Sequence, residues 1–121
     1  MKGGKTSEIL NNIMLDLKKV DGVKIIAVGT RDGFLIGEPQ SDEPELLTLM
    51  SATMLKAAEN ITIRHEKVSP GWVMVDFEGG KIITTLAGHK ALITVMTAED
   101  ASLSPIIAEL ERAAQKIKEI L

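Results

Sequence analysis

The chain has 121 residues, of which 45% are hydrophobic, 2% aromatic and 26% charged, with 14 basic against 17 acidic side chains. That length predicts one domain, and the apolar fraction is enough for a packed core rather than a disordered chain. The lack of cysteine excludes disulfides, thiolate metal sites and a cysteine nucleophile, and a net charge of −3 with so few aromatics argues against both phosphate-backbone binding and base stacking.

No apolar run approaches the ~20 residues of a membrane span, so no direct membrane insertion is expected. The basic start Met1-Lys2-Gly3-Gly4-Lys5 has no apolar signal-peptide core behind it. The reading is a cytoplasmic protein with a flexible N-terminus at residues 1–6 and a single domain at 7–121.

The first helix is expected over Ser7 to Lys19, with Ser7 as N-cap and Ile9, Leu10, Ile13, Met14 and Leu17 on one stripe. Asp21-Gly22 ends it, since glycine takes the left-handed conformation that closes helices. Val23–Gly29 reads as a strand, rich in β-branched residues. Asp32-Gly33 then predicts a type I′ turn into a second strand, Phe34–Gly37. A loop over residues 39–43 leads to Pro44, acceptable in a first helical turn.

The second helix is expected to run from Pro44 to Arg64 or His65. Its core stripe reads as Leu46, Leu47, Met50, Met54, Ala57, Ala58 and Ile61. Three strands follow after the Pro70-Gly71 turn: Trp72–Glu78, Lys81–Ala87 and Ala91–Thr97. Gly79-Gly80 and Gly88-His89-Lys90 are their turns. The last helix opens at Ser104-Pro105, with Ile106, Ile107, Leu110, Ala113, Ala114, Ile117 and Leu121 on one face.

The element order αββαβββα and the apolar strands predict an α+β fold, a five-stranded antiparallel sheet sandwiched between helices.

Signals of enzyme chemistry are weak. His65 and His89 read as solvated groups, and Arg64-His65-Glu66-Lys67 lacks the second histidine of a zinc site. Asp76 and Glu78 read as a solvated strand edge. Gly3-Gly4-Lys5-Thr6 imitates the tail of a phosphate-binding loop with no strand before it. Ser102 and Ser104 have no histidine near them and read as caps. No catalytic residue, cofactor or metal site is expected.

One feature resists a purely structural reading. Opposite its stripe the second helix carries Thr48, Leu49, Ala52, Thr53, Leu55 and Thr62, with only Lys56 and Glu59 charged. A helix with so few charges on any side is covered on most sides, which a chain this short cannot do alone. Self-association or partner binding is therefore expected there.

These residues and their order converge on a family. Val20-Asp21-Gly22-Val23, Thr30-Arg31-Asp32-Gly33, the long Ala- and Met-containing second helix and Ala98-Glu99-Asp100-Ala101-Ser102-Leu103-Ser104 resemble the Roadblock (dynein light-chain, MglB-like) family, from Ser7 to Ile120. The resemblance implies a profilin- and longin-like sheet of order 2-1-5-4-3, with the first and last helices on one face and the second on the other. It also implies a small, non-catalytic homodimer that binds small Ras-like GTPases. Regulators of this kind work without a dedicated catalytic arginine, so Arg31, Arg64 and Arg112 are not taken as arginine fingers. The competing function is a structural scaffold subunit of a motor, filament or signalling complex with no GTPase partner.

In the 2-1-5-4-3 order Trp72–Glu78 lies at a sheet edge, without proline to block pairing. The dimer interface is accordingly expected at Leu49, Ala52, Leu55, Trp72, Met74 and Asp76, and the partner surface at Leu49, Thr53, Lys56 and Asn60.

Overall fold

The computed structural model describes residues 2–37 and 44–121, with side chains from residue 5 onward; the expected loop over residues 39–43 lies outside the described residues. Among the described residues three helices, α1 (Lys2–Lys18), α2 (Pro44–Glu66) and α3 (Leu103–Ile120), accompany five strands: β1 (Val23–Thr30), β2 (Leu35–Ile36), β3 (Val73–Phe77), β4 (Gly80–Ala87) and β5 (Ala91–Ala98). The strands form one antiparallel sheet of order β2-β1-β5-β4-β3. The central seam runs from Val23↔Thr97 to Thr30↔Ala91.

Strand alternation divides the sheet into two chemically distinct faces. Ile26 and Val28 of β1, Ile83 and Ala87 of β4, and Ala91, Ile93 and Val95 of β5 point to one side. There they pack with Leu10, Ile13, Met14 and Leu17 of α1 and Ile106, Leu110, Ala113 and Ile117 of α3. The other side carries α2. Across it run two registered rows, Ala27–Thr94–Thr84–Val73 and Ile25–Met96–Ile82–Val75.

Several local details differ from the sequence expectation. α1 starts at Lys2, so Ser7 lies within the helix instead of capping it, and Gly3-Gly4-Lys5-Thr6 is helical. No proline interrupts residues 2–6, and glycine weakens a helix without forbidding it. Ile9 is partly solvent-facing. The N-cap position of α3 is Ser102, not Ser104, and its side chain makes no capping hydrogen bond; Pro105 is therefore third and still falls within the first turn, where no N–H is needed. Gly80 belongs to β4 and pairs with Phe77, leaving Glu78-Gly79 as the two-residue turn. α2 closes just beyond Glu66 at Lys67, whose φ of 59° places it in the left-handed region while its N–H bonds Ile63 O at 3.0 Å.

The first hairpin is the most informative correction. A type I′ turn needs positive φ at both central residues, but only Gly33 (φ 96°) has it; Asp32 does not. Gly33 N–H donates to Thr30 O at 3.0 Å and Thr30 N–H to Phe34 O at 2.8 Å. The connection is thus a three-residue loop, Arg31-Asp32-Gly33, with a left-handed glycine at its end. Gly33 also lies against α2: a Cβ there would sit 2.9 Å from Leu49 Cδ1 and 3.1 Å from Leu49 Cα. Strained φ and this close backbone approach act together, so Gly33→Val is expected to lower unfolding free energy by about 1–3 kcal/mol. Urea denaturation of the two proteins checks it; coincident midpoints would contradict this geometry.

Candidate protein-interaction surface

The sheet-facing side of α2 is small and partly polar. Leu47, Thr48, Ser51, Ala52 and Leu55 are buried. Gly29 of β1 lies directly under Thr48, where a Cβ would collide with Thr48 Cγ2 and approach Phe34 O to 2.9 Å. Ser51 Oγ bonds Thr94 Oγ1 at 3.0 Å, both residues being fully buried. Thr48 Oγ1 donates back to Pro44 O at 2.6 Å. Leu55 and Ala52 close the seat against Leu92, with Val73 and Leu86 beside them. Small residues on both partners let the helix lie close to the strands, and their hydroxyls are paired so that burial carries little penalty.

This seat reverses the expected rotation of the helix. Of the stripe read as core, only Leu47 is buried; Met54 and Ala58 are half-buried. Leu46 (57% exposed), Met50 (48%), Ile61 (63%) and Ala57 face outward. Conversely, Thr48, Ala52 and Leu55, expected on the outer side, lie inside. Total hydrophobicity along the stripe did not decide the rotation; the space left by Gly29 and Ala27 did.

The outward apolar residues continue onto the sheet. Ile25, Ile82 and Met96 are only half-covered by α2, and with Leu46, Leu47 and Met50 they line an apolar groove of about 190 Å³. Toward the sheet edge the same face carries Val75 (37% exposed) and Phe77 (39%), Phe77 lying over Gly80 of β4. Among the described residues β3 is hydrogen-bonded to β4 alone and ends the sheet. Five residues without proline leave its outer N–H and C=O groups open to another strand.

The expected site residues divide accordingly. Ala52 and Leu55 are corrected: they are 7% and 2% exposed, packed inside the protomer under α2, and form no outer surface. Leu49, Trp72, Met74 and Asp76 are exposed. Asp76 faces Lys81 across the β3–β4 pair at 3.4 Å. Leu49, Thr53, Lys56 and Asn60 form one exposed row, with Thr53 Oγ1 bonded to Leu49 O at 3.1 Å. Leu46, Met50, Ile61 and Val75 were not assigned to the surface from sequence. The signal that could have placed them is the small-residue series Thr48, Ser51, Ala52 at helical spacing, the mark of a close helix–sheet seat.

Other side chains considered from sequence are accounted for by local partners. Arg31 pairs with the nearly buried Glu59 of α2, and Arg112 with Glu109 on its own helix. His65 and His89 are exposed. Among the described residues no group of three His, Cys, Asp or Glu is placed to hold a metal, and no helix is long and apolar enough to cross a membrane.

The element order, the sheet order and the helix placement are those implied by the Roadblock resemblance. The Roadblock/LC7 domain profile matches residues 9–97. This chain belongs to the Roadblock/LC7 family. The Methanocaldococcus jannaschii protein MJ1340, to which no function is assigned, is 30% identical over 112 residues, spanning 91% of this chain and 97% of its own. Among solved structures, MglB in a tetrameric arrangement superposes with a TM-score of 0.85 at 17% identity, covering 95% of this chain and 89% of that one. The gliding protein MglB from Thermus thermophilus gives 0.84 at 16% identity, covering 95% and 90%. At such identities the two structures establish the fold of this Roadblock domain and nothing finer.

The inverted seating of α2 has a direct thermodynamic signature. Leu55→Ala is expected to cost about 2–5 kcal/mol of stability, as for a buried leucine. Ile61→Ala, although it lies on the stripe with the higher hydrophobicity, is expected to change stability by no more than about 0.5 kcal/mol. Denaturant titration of both variants checks the contrast, and equal losses would place Ile61 in the core.

Proposed function

We propose that this Roadblock protein is a cytoplasmic, non-catalytic homodimeric adaptor that binds a small Ras-like GTPase and modulates its nucleotide cycle or its localisation. The observation that carries the proposal is the apolar outer face of α2, continuous through the groove at Ile82 and Met96 with Val75 and Phe77 on an open strand. Apolar surface in contact with water costs about 25 cal/mol per Å², and an unpaired edge strand recruits another. A second copy meets both demands at once. Pairing β3 with its two-fold mate extends the sheet and brings both α2 helices to one side.

In that arrangement Trp72, Met74 and Asp76 sit along the β3 seam, while Leu46 and Met50 approach the partner. Leu49, Thr53, Lys56 and Asn60 form the row left for the GTPase. Its apolar residue flanked by polar ones matches the composition of interface centres. The tetrameric arrangement of the MglB neighbour supports self-association of this fold. The GTPase itself rests on what the Roadblock resemblance implies.

Light scattering at micromolar concentration is expected to return twice the 13.1 kDa chain mass; the single-chain mass at every concentration would remove the dimer. Leu49→Glu is expected to weaken dimerisation or GTPase capture by at least about 1 kcal/mol through desolvation of the new charge. Lys116→Glu, on the solvated side of α3, is the silent control. Affinity isolation from the native cell, with GTPases presented in both nucleotide states, decides the partner. Recovery of a stable non-GTPase complex instead would assign the scaffold role.

A further inference from the structure

The open edge of β3 has a phase, fixed by the hairpin beside it. In an antiparallel sheet each residue directs its N–H and its C=O to the same neighbouring strand, and successive residues alternate between the two sides. Phe77 and Gly80 flank the two-residue turn Glu78-Gly79, and such a turn closes on a pair that exchanges both hydrogen bonds. Phe77, Val75 and Val73 therefore turn their backbone groups to β4. The far side of the sheet sets the same phase. Ala98 N–H donates to Gly22 O at 2.7 Å, beside the start of β1. Ala98 thus faces β1, Thr97 faces β4, and Lys81, the partner of Thr97, faces β5, which leaves Gly80, Ile82 and Thr84 for β3. The backbone groups that point outward from the edge belong to Met74 and Asp76.

Side chains alternate with the same period: Val73, Val75 and Phe77 lie on the α2 side, Met74 and Asp76 on the other. A two-fold axis perpendicular to the sheet keeps each face on its own side. Opposed residues must then share a face, and the axis must pass through a residue opposed to its own mate. With the axis at Asp76 two carboxylates meet, and with it at Phe77 Asp76 meets Glu78; like charges directly opposite each other are destabilising. With the axis at Val73, Asp76 meets Pro70, which has no N–H to donate. At Met74, Phe77 is left with only Gly71 opposite it. At Val75 every residue of β3 finds its partner within β3.

We infer, on the homodimer reading of its function, that a second copy docks on β3 in one register only, with Val75 on the two-fold axis. Met74 then exchanges both backbone hydrogen bonds with the partner's Asp76, and symmetry repeats the exchange. Val75 meets its mate as a non-hydrogen-bonded pair, with Cα atoms about 4.5 Å apart. Val73 meets the partner's Phe77 on either side of the axis. These apolar pairs continue onto the half-covered Ile82 and Met96 of the groove. On the opposite face Asp76 keeps its own Lys81 at 3.4 Å, so its charge stays compensated beside the partner's Met74. Asp76 and Glu78 accordingly set the register by what they forbid.

The chain contains no cysteine, so single-cysteine variants of the full chain read the register directly. A disulfide needs Cα atoms within about 4.4–6.8 Å of each other. On mild oxidation Val75→Cys is expected to cross-link to twice the chain mass at least about tenfold faster than Val73→Cys or Phe77→Cys, whose like positions lie about 13 Å apart along the seam. Val73→Cys mixed with Phe77→Cys is expected to give the mixed disulfide. Met74→Pro deletes an outward N–H and no bond to β4, and is expected to raise the dimer dissociation constant at least about tenfold. Fastest cross-linking at Met74→Cys or Asp76→Cys, or dimerisation untouched by Met74→Pro, would overturn the register while leaving the dimer in place. A dimer in which no β3 cysteine cross-links would overturn the seam. The single-chain mass for the unsubstituted protein would remove the homodimer and the register together.

Discussion

The close seating of α2 on the sheet governs the rest of this molecule. Gly29 admits Thr48, Thr94 receives Ser51, and Leu55 meets Leu92, so a helix of 23 residues rests on a floor of small side chains and hydroxyls. A helix has one face toward its support. Once that face is taken by threonine, serine and alanine, Leu46, Met50 and Ile61 have nowhere to go but outward. The same seat leaves Ile25, Ile82 and Met96 only half-covered, and the apolar groove is the remainder.

The two faces of the sheet consequently do different work. On the α1/α3 side, aliphatic residues of three strands meet two amphipathic helices in a continuous core, where the hydrophobic contribution to stability is concentrated. On the α2 side the buried threonines satisfy themselves locally: Thr84 Oγ1 donates to Ile93 O and Thr94 Oγ1 to Ile83 O, each at 3.2 Å. Such pairs make the interior neutral in energy rather than strongly cohesive. The most cohesive packing and the exposed apolar surface thus lie on opposite sides of one sheet, linked by β5, which contributes to both.

Most of the fold was legible in the sequence, because its signals are local. Glycine at 22, 33, 79 and 88 marks the turns, β-branched runs mark β1, β4 and β5, and the apolar face of α3 has a clean helical period. The Roadblock resemblance added the sheet order, which no local signal contains. What failed was rotation and register. The stripe Leu46–Met50–Ile61 outscored Thr48–Ser51–Ala52 in hydrophobicity, yet a helix is oriented by the shape of the surface beneath it, and that surface comes from Ala27, Gly29 and Thr94, far away in the chain. The type I′ expectation for Asp32-Gly33 failed for a related reason. A dipeptide shared by two- and three-residue loops is decided by the pairing of Thr30 with Phe34, not by its own two residues. Ala52 and Leu55 moved from interface to core with the helix that carries them.

The neighbourhood of β1 and β5 at the centre of the sheet also shapes how the chain reaches its fold. β3, β4 and β5 form a meander of short connections, whereas β1 must close a loop of about 60 residues before Thr30 can pair with Ala91. Local pairing precedes distant pairing in folding kinetics. Where the meander pairs before β1 arrives, β5, later the best-protected strand, is a bare edge awaiting β1. A β1 strand from another molecule fits that edge as well as the chain's own does. The strand that is best covered in the finished protein is thus the one whose second edge is closed by the most distant strand pairing in the sheet.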